Sequence, residues 1–234
     1  MKNTQTKTEV YRRMMDQGYI TGYDFNSEDG RGFLIDLLAQ WRKKNLTRVH
    51  IMRCSLPSDR LHVNLDRIYF TGCDFTGVVF HHGYMCDTIF KSCDLKNAIF
   101  NWSNLHGVKF SDCNFLNNSF ARAGHKLLTV QFWNCLGVLD AGQDARGYRF
   151  LAFRNETHGY MVSAGCHWMK RQDAIEHWYA GSYTPSLMKT NMPMDDCVFL
   201  TRQKIYHLDN TAYCLGWADN YVYINERGQY EYRT

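Results

Sequence analysis

The most constraining feature of this 234-residue sequence is a repeat with a period of five residues in its middle part. Every fifth residue from position 65 to position 120 is Leu, Phe or Met. These twelve positions are Leu65, Phe70, Phe75, Phe80, Met85, Phe90, Leu95, Phe100, Leu105, Phe110, Phe115 and Phe120. An α-helix repeats on one face about every 3.6 residues and a β-strand about every 2, so neither explains this period. A repeat architecture with a five-residue unit must impose it.

The residue two positions before each of these is small or of medium size. These residues are Val63, Ile68, Cys73, Val78, Gly83, Thr88, Cys93, Ala98, Ser103, Val108, Cys113 and Asn118. Each unit therefore offers one large and one smaller side chain to an interior. Residues 20 positions apart also match in type, as Cys73, Cys93 and Cys113 do. A solenoid favours such like-on-like stacking, because each turn contacts only its neighbours.

The units resemble the pentapeptide-repeat family, whose pattern is A-(D/N)-(L/F)-x-x. The clearest are Cys73-Asp74-Phe75, Cys93-Asp94-Leu95, Ser103-Asn104-Leu105 and Cys113-Asn114-Phe115. The resemblance covers residues 61–120 and implies a right-handed quadrilateral β-helix, in which the central Leu or Phe fills the axis. We predict a mainly β fold: this β-helix, an N-terminal helical cap and a small α+β C-terminal domain.

The repeat extends backwards beyond residue 61. Cys54-Ser55-Leu56 has the same form and lies 19 residues before Cys73, which predicts one residue lost near Pro57. The pattern ends after Phe120, so we expect about three and a half coils, a height of about 17 Å at the spacing of stacked strands. The predicted β-helix domain is 49–140.

The N-terminal stretch, residues 1–48, is expected to be a helical cap. Five apolar residues at helical spacing form one stripe: Phe33, Leu34, Leu37, Leu38 and Trp41. A second helix is expected over residues 7–17. Residues 1–60 hold 11 Lys and Arg against 7 Asp and Glu, so a basic recognition helix built on Arg42, Lys43, Lys44 and Arg48 is the alternative. Cationic last turns are ordinary, which favours the cap.

The C-terminal domain, residues 141–234, shows no repeat. We expect strands over 146–154 and 160–164, a helix over 171–179 and a loop over 181–196. Hairpin strands are expected at about 197–207 and 212–232, because the tail alternates between polar and apolar residues.

One block of this domain is similar to a segment that follows short pentapeptide repeats in proteins of phage and prophage origin. Its form is D-x-R-G-Y-x-F, then A-G-C-x-W, then A-x-x-H-W, and it begins here at Asp144 and ends at Trp178. The similarity implies a phage or prophage source and says little about mechanism.

Composition excludes several classes of protein. The formal net charge is only +4, which disfavours a protein that coats a polyanion. No apolar run reaches the ~20 residues that span a bilayer, and the N-terminus has no apolar signal region. We therefore expect a cytoplasmic protein without membrane partners, whose nine cysteines are free thiols. No cofactor is predicted.

The sequence disfavours two kinds of chemistry, metal binding and nucleophilic catalysis. The cysteines and histidines of the C-terminal domain lack the paired spacing of a structural zinc site. They are Cys166, His167, His177, Cys197, His207 and Cys214. A nucleophile pair of Cys166 and His177 would need an exposed electropositive setting, which the sequence does not indicate. We expect neither a metal site nor an enzyme.

Binding is expected to lie in the C-terminal domain, which holds sixteen aromatic residues, ten of them Tyr. The candidate binding residues are Arg146, Tyr148, Arg149, His167, Trp168, His177 and Trp178. The first hypothesis is a non-enzymatic interaction protein, a phage or prophage accessory factor that modulates a host protein or defence component. The alternative is binding of nucleic acid or a nucleotide through stacking aromatics and arginines.

The resemblance also raises DNA mimicry, since the family's best-understood members imitate DNA and bind gyrase. That role needs a long, strongly acidic rod. Residues 61–120 carry five Asp against four Lys and Arg, so their net charge of about −1 disfavours it. A homodimer is expected if an end of the solenoid is left open.

Overall fold

The computed structural model describes residues 5–27, 29–43, 49–56, 64–80, 82–179, 192–225 and 229–234. The chain forms two compact units, Met1–Leu136 and Gly137–Thr234. The first is a stack of β-coils preceded by helices, and the second is an α+β unit. Within the described ranges, no helix is long and apolar enough to cross a membrane. The division into three domains at residues 48 and 140 remains a prediction.

One face of the first unit is a six-stranded parallel sheet whose strands follow chain order. The strands are β1 (Tyr19–Thr21), β2 (Val49–Met52), β3 (Ile68–Thr71), β4 (Ile89–Lys91), β5 (Lys109–Ser111) and β6 (Gln131–Trp133). Three further columns of parallel bridges follow the sheet around each coil, at residues 64/84/104, 74/94/114 and 79/99/119. The unit is a β-solenoid of about four turns, which confirms the fold expected from the five-residue period.

The interior of the solenoid is filled by the repeat. All twelve large residues have 1% or less of their surface exposed. Their rings stack from coil to coil, with centroid distances of 4.9 Å for Phe80 and Phe100 and 4.7 Å for Phe100 and Phe120. Val63 lies outside the described residues, and the other eleven smaller residues are buried. Packed side chains therefore fill the axis of the described coils and leave no space there for a ligand.

A left-handed backbone residue follows two positions after each large residue and turns the chain by one corner. These twelve residues have φ between 51° and 72°: Arg67, Gly72, Gly77, His82, Asp87, Ser92, Asn97, Trp102, Gly107, Asp112, Asn117 and Arg122. Five of the twelve large residues follow an Asp or Asn, at positions 64, 74, 94, 104 and 114, and there the side chain fixes the corner. Asp74 Oδ1 accepts a hydrogen bond from the Thr76 N–H at 2.9 Å, and Asp94 repeats this with Lys96 at 3.1 Å. The period of five is therefore one straight segment plus one corner.

The coil stack begins earlier in the chain than expected. Helices α1 (Lys7–Gln17) and α2 (Gly30–Lys43) form as predicted, but β1 lies between them and pairs with β2. Ile20 lies opposite Ile51, and the Phe25 N–H donates to the Ser55 carbonyl at 2.9 Å. The expectation of a purely helical N-terminal cap was therefore incomplete, because this segment also supplies part of a coil.

The register shows where coils gain or lose residues. Ile51 pairs with Phe70, a spacing of 19, which agrees with one lost residue, although Pro57 lies outside the described residues. Phe110 pairs with Phe132, a spacing of 22, because a 3₁₀-helix (Gly124–Thr129) lengthens that coil. The five-residue pattern ends at Phe120 as predicted, and the stack of coils continues through β6 without it.

One residue of the proposed basic recognition helix, Arg42, is engaged inside the first unit, while Lys43 is exposed. The Arg42 Nη2 donates to Asn64 Oδ1 at 2.9 Å and to the Asn64 carbonyl at 2.5 Å. Burial lowers the pKa of Arg42 below its usual value. Lys44 and Arg48 lie outside the described residues. Arg42 therefore fixes α2 on the first coils, which favours the cap over the recognition helix.

The second unit consists of a four-stranded antiparallel sheet in the order β10-β9-β8-β7, two helices and a terminal hairpin. Its elements are β7 (Val138–Gln143), β8 (Arg149–Asn155), β9 (Gly159–Ala164), β10 (His167–Lys170), α3 (Arg171–Tyr179), α4 (Met194–Cys214), β11 (Tyr221–Ile224) and β12 (Tyr230–Arg233). The core lies between the helices and one face of the sheet, around Phe150, Val162 and Trp178.

The prediction of hairpin strands at 197–207 and 212–232 was wrong for the first strand. Residues 194–214 form the helix α4, and only β11 and β12 pair as a hairpin. The buried face of α4 repeats every three or four residues: Cys197, Thr201, Ile205, Leu208, Asp209 and Ala212. Most of the loop expected over 181–196 lies outside the described residues, and α4 begins at Met194.

Candidate functional site

Five of the seven predicted binding residues lie together on the helix side of the second unit's sheet. They are Arg146, Tyr148, His167, His177 and Trp178. The Arg146 guanidinium lies 4.9 Å from the centre of the Tyr148 ring. We call this group the imidazole face, because two half-buried histidines lie side by side in it.

A buried carboxylate, Asp144, positions Arg146 and Tyr148. Its side chain has no exposed surface and accepts hydrogen bonds from Arg146 Nε at 2.8 Å and from the Tyr148 N–H at 3.1 Å. The Thr201 hydroxyl on α4 donates to it at 3.2 Å. Gly165 leaves space for the Tyr148 ring, since a Cβ there would lie 3.1 Å from a ring atom. The residues of the D-x-R-G-Y pattern therefore form one turn that hydrogen bonds to Asp144 hold in place.

The two histidines are neighbours on the imidazole face. Their ring centroids lie 4.9 Å apart, and the buried Trp178 packs edge-on against His177 at 5.0 Å. Burial lowers the pKa of His167, and His177 and Arg146 lower it further. Burial and Arg146 likewise lower the pKa of His177. Both rings are therefore neutral at pH 7, and each can donate and accept a hydrogen bond.

The other two predicted residues, Arg149 and Trp168, lie on the opposite face of the sheet. The strand register places Arg149 with Gln143, and Trp168 with Ser163. Arg149 forms an ion pair with Asp140, and Trp168 packs on Phe153 at a centroid distance of 5.5 Å. Period-two alternation separates them from Tyr148 and His167, their chain neighbours.

The residues weighed for metal binding or catalysis do not assemble into one centre. Cys166 and Cys214 are exposed, and Cys197 is buried. Among the residues that the structure describes, no group of three or more His, Cys, Asp or Glu side chains is placed to hold a metal ion.

Sequence reasoning missed a second buried carboxylate, Asp209 on α4. Its side chain accepts hydrogen bonds from the Tyr160 hydroxyl at 2.6 Å, from Arg171 Nε at 2.6 Å and from the Val222 N–H at 2.5 Å. Burial and this carboxylate raise the pKa of Tyr160, which keeps its hydroxyl protonated as the donor. Asp209 thereby joins β9, α3, α4 and β11. The sequence signal was weak, because an isolated Asp in an apolar pattern usually indicates an exposed position.

Sequence reasoning also missed that the faces of the solenoid differ in charge. The left-handed corners divide each coil into four straight segments, and segments 20 residues apart stack into one face. The face made of residues 78–82, 98–102 and 118–122 holds no Asp or Glu. The other three faces share the five Asp of the repeat: Asp66, Asp74, Asp87, Asp94 and Asp112. Sorting the sequence by face would have revealed this.

We call this carboxylate-free face, together with Tyr84 on the segment that follows it, the aromatic side. Tyr84 is 59% exposed and Trp102 is 46% exposed. Trp102 stacks on His82 of the previous coil at 5.7 Å, and Arg122 of the next coil lies 5.4 Å from its ring centre. The φ of Trp102 is 62°, as at the other corners of the repeat, so its backbone conformation follows from the fold. The two neighbours hold this bulky, exposed ring in place.

The stacked coils and their filled axis define the first unit as a β-solenoid repeat structure. Within it, residues 62–91 and 84–117 match the family model described as pentapeptide repeats, in eight copies. Residues 62–117 are therefore pentapeptide repeats.

Solved structures similar to this chain include the following two. One is a pentapeptide repeat protein, Rfr23, from the cyanobacterium Cyanothece 51142, with 8% identity over 56% of this chain and 99% of that chain and a TM-score of 0.23. Another is QnrB1, a plasmid-mediated fluoroquinolone resistance protein, with 14% identity over 51% of this chain and 68% of that chain and a TM-score of 0.19. A comparison with curated proteins gives no match.

Proposed function

We propose that this protein is a non-enzymatic binding protein whose solenoid docks a partner protein on its aromatic side. The observation that carries the proposal is the exposed Trp102 on the face without carboxylates, with the exposed Tyr84 on the segment that follows it. Interfaces are enriched in Tyr, Trp and Arg and depleted in Asp and Glu, and this surface offers Tyr84, Trp102 and Arg122. The partner's contact surface should be apolar with an acidic rim, to match Arg122.

The geometry of Trp102 favours a protein over a nucleic acid at this position. Its two ring faces are occupied by His82 and Arg122, so a base has no free face on which to stack. The ring instead presents an edge that is already held in place. An anchor that is ordered before binding loses little conformational entropy on association.

We further propose that the protein is a phage or prophage accessory factor that acts in the host cytoplasm on a host protein or defence component. The support is the segment from Asp144 to Trp178, which is similar to one that follows repeats in such proteins. Its Asp144 turn is a structural unit, which explains why these residue types occur together.

DNA mimicry is disfavoured by the charge distribution. A mimic of duplex DNA needs phosphate-like negative charge along its length. Here the five Asp are spread over three faces of the solenoid and interspersed with Arg67, Lys91 and Lys109. Supercoiling by gyrase should therefore proceed unchanged in the presence of this protein.

The experiment is affinity capture from infected host cells with matched variants. The double variant Tyr84→Ala/Trp102→Ser should lose the captured partner, whereas Tyr69→Ala on another face of the solenoid should retain it. Equal capture by the wild type and the double variant, with both folded by circular dichroism, would refute docking on the aromatic side.

A second candidate function is binding of a nucleotide or nucleic acid by the imidazole face. The observation that favours it is the convergence of Tyr148, Arg146 and two neutral imidazoles on one surface. Retention of the protein on single-stranded RNA or DNA should then weaken as salt is raised, and His177→Ala should weaken it further. Retention that ignores salt would count against it.

Self-association remains part of the proposal. Trp133 and Leu136, in the last turn of the solenoid, are 76% and 70% exposed. A homodimer that covers them would bury this apolar surface. Sedimentation of the wild type and of Trp133→Ser at matched concentrations tests it, with a dimer expected only for the wild type.

A further inference from the structure

A cavity in the second unit lies at the end of β8 away from Arg146, and it belongs to neither candidate surface above. It is bounded by the β8–β9 turn, the first residue of α3 and the loop after α4, residues 216–220. Its volume is about 490 Å³, within the range of small-molecule sites.

The walls of this cavity are fixed by their own contacts. Asn155 Oδ1 accepts hydrogen bonds from the Thr157 and His158 N–H groups at 3.1 and 2.9 Å. A Cβ at Gly159 would lie 2.5 Å from the Trp217 carbonyl oxygen, so the turn and the loop touch backbone to backbone. The site is therefore formed before any ligand binds.

Arg171 lines this cavity, and hydrogen bonds fix its guanidinium group. Its Nε donates to Asp209 at 2.6 Å, and its Nη2 donates to the side chain of Asn220 at 2.8 Å. Its Nη1 has no hydrogen bond to any residue that the structure describes. Two N–H groups of Nη1 thus remain for an acceptor, in an orientation that Asp209 and Asn220 hold.

The charges around the cavity indicate which acceptor fits. Arg154 on the opposite wall is exposed and forms no ion pair with any described residue, so its charge remains for a ligand. Two guanidinium groups favour a phosphate, which accepts several charge-assisted hydrogen bonds. Glu156 and Asp219 also line the cavity and would repel a bare polyanion, but they can accept from hydroxyl or amino groups.

We propose that this cavity binds a nucleoside monophosphate unit. The phosphate contacts Arg171 Nη1 and Arg154, the ribose or base donates to Glu156 or Asp219, and Trp217 supplies apolar contact. The unit is either a free nucleotide or the 5′-phosphorylated end of an oligonucleotide. The site is separate from the aromatic side and from the imidazole face, so its test is independent of the functions proposed for those surfaces.

The test is calorimetric titration of the full chain with the four ribonucleoside monophosphates. The four matching nucleosides, inorganic phosphate and a 5′-phosphorylated dinucleotide are titrated in parallel. At least one monophosphate should bind more tightly than its nucleoside and than inorganic phosphate. Tighter binding of the dinucleotide than of any free nucleotide would identify the oligonucleotide end as the source.

Arg154→Ala should weaken the binding about tenfold, as expected for loss of a charge-assisted hydrogen bond. Lys170→Ala, which removes the same charge outside the lining, is the matched control and should change affinity less than twofold. Arg171→Lys keeps the charge beside Asp209 but loses the planar guanidinium group with its several N–H donors, and it should also weaken binding. No binding of any monophosphate or of the dinucleotide would overturn the proposal, as would equal affinity of Arg154→Ala and the wild type.

Discussion

The residues that fill the solenoid axis set its stability, and Phe100 is a representative one. It has no exposed surface and stacks on the rings of Phe80 and Phe120. Phe100→Ala should lower the free energy of unfolding by about 3–5 kcal/mol, because the cavity cannot collapse between two stacked rings. Phe100→Leu should cost less, since Leu95 and Leu105 fill equivalent positions. Urea denaturation of the three proteins measures both values, and equal losses for the two variants would contradict this packing.

Buried polar side chains in the same axis should contribute much less. Asn118 donates to the Leu95 carbonyl at 2.6 Å, while its Oδ1 is buried without a partner among the described residues. An unpaired buried acceptor costs about 1–3 kcal/mol, which offsets the bonds of the amide nitrogen. Asn118→Ala should therefore change the free energy of unfolding by less than about 1 kcal/mol. A loss as large as that of Phe100→Ala would contradict this reasoning.

The cysteines divide into protected and accessible thiols. Cys54, Cys73, Cys93 and Cys113 stack as one column inside the solenoid, and burial raises the pKa of Cys54 to about 12. Iodoacetamide at pH 8 should alkylate the exposed Cys166 and Cys214 within minutes and leave this column unmodified until the protein unfolds. Mass spectrometry of native and urea-treated samples checks this, and early labelling of Cys93 would contradict the buried column.

The histidines of the imidazole face make stability depend on pH. The pKa values of His167 and His177 are lowered in the folded state, so the unfolded chain binds more protons as pH falls through about 6.5. The stability that the neutral rings provide is present above that pH and is lost below it, until the folded pKa values are passed. The melting temperature should fall from pH 7.5 to pH 5. His167→Gln/His177→Gln should reduce that fall, and an identical fall in this variant would contradict the assignment.

At the scale of elements, the parts predictable from sequence are those with a repeated local code. The coils were predictable because each unit repeats a large residue and a smaller one, and five of the twelve units add an Asp or Asn at the corner, as in Cys73-Asp74-Phe75. The first coil was missed because α2 separates Ile20 and Phe25 from the next turn. Helix α4 was missed because its buried face includes the polar residues Thr201 and Asp209, which hide its helical period. Those two residues are buried for a tertiary reason that the local sequence does not contain.

The Asp209 hub gives the sharpest prediction at this scale. Asp209→Ala should lower the free energy of unfolding of the second unit by about 3–5 kcal/mol, because it leaves the Arg171 charge partly buried and unpaired. Tyr160→Phe removes one donor and keeps the ion pair, so it should cost about 1 kcal/mol. The unfolding of both variants on heating is measured by the loss of near-ultraviolet circular dichroism. A cost for Asp209→Ala no larger than for Tyr160→Phe would show that the hub does not hold α4.

At the scale of the whole molecule, the sequence predicted the architecture better than the binding surfaces. Five of the seven residues predicted to bind lie together in the imidazole face, because the segment from Asp144 to Trp178 is one folded block, and their role in binding stays a prediction. The aromatic side was not foreseen, since its members lie 20 residues apart and only the coil register brings Trp102 beside His82 and Arg122. A surface made by stacking is visible in a sequence only after the length of the coil is known.

The central claim is that the aromatic side of the solenoid docks a partner protein, and site-specific photo-crosslinking in infected cells tests it most directly. A photoreactive phenylalanine analogue is placed at position 84 or, as the control, at position 69. The account predicts a covalent adduct with one partner from position 84 and none from position 69. Adducts of equal yield from both positions, or none from position 84 in cells where the protein is active, would contradict it.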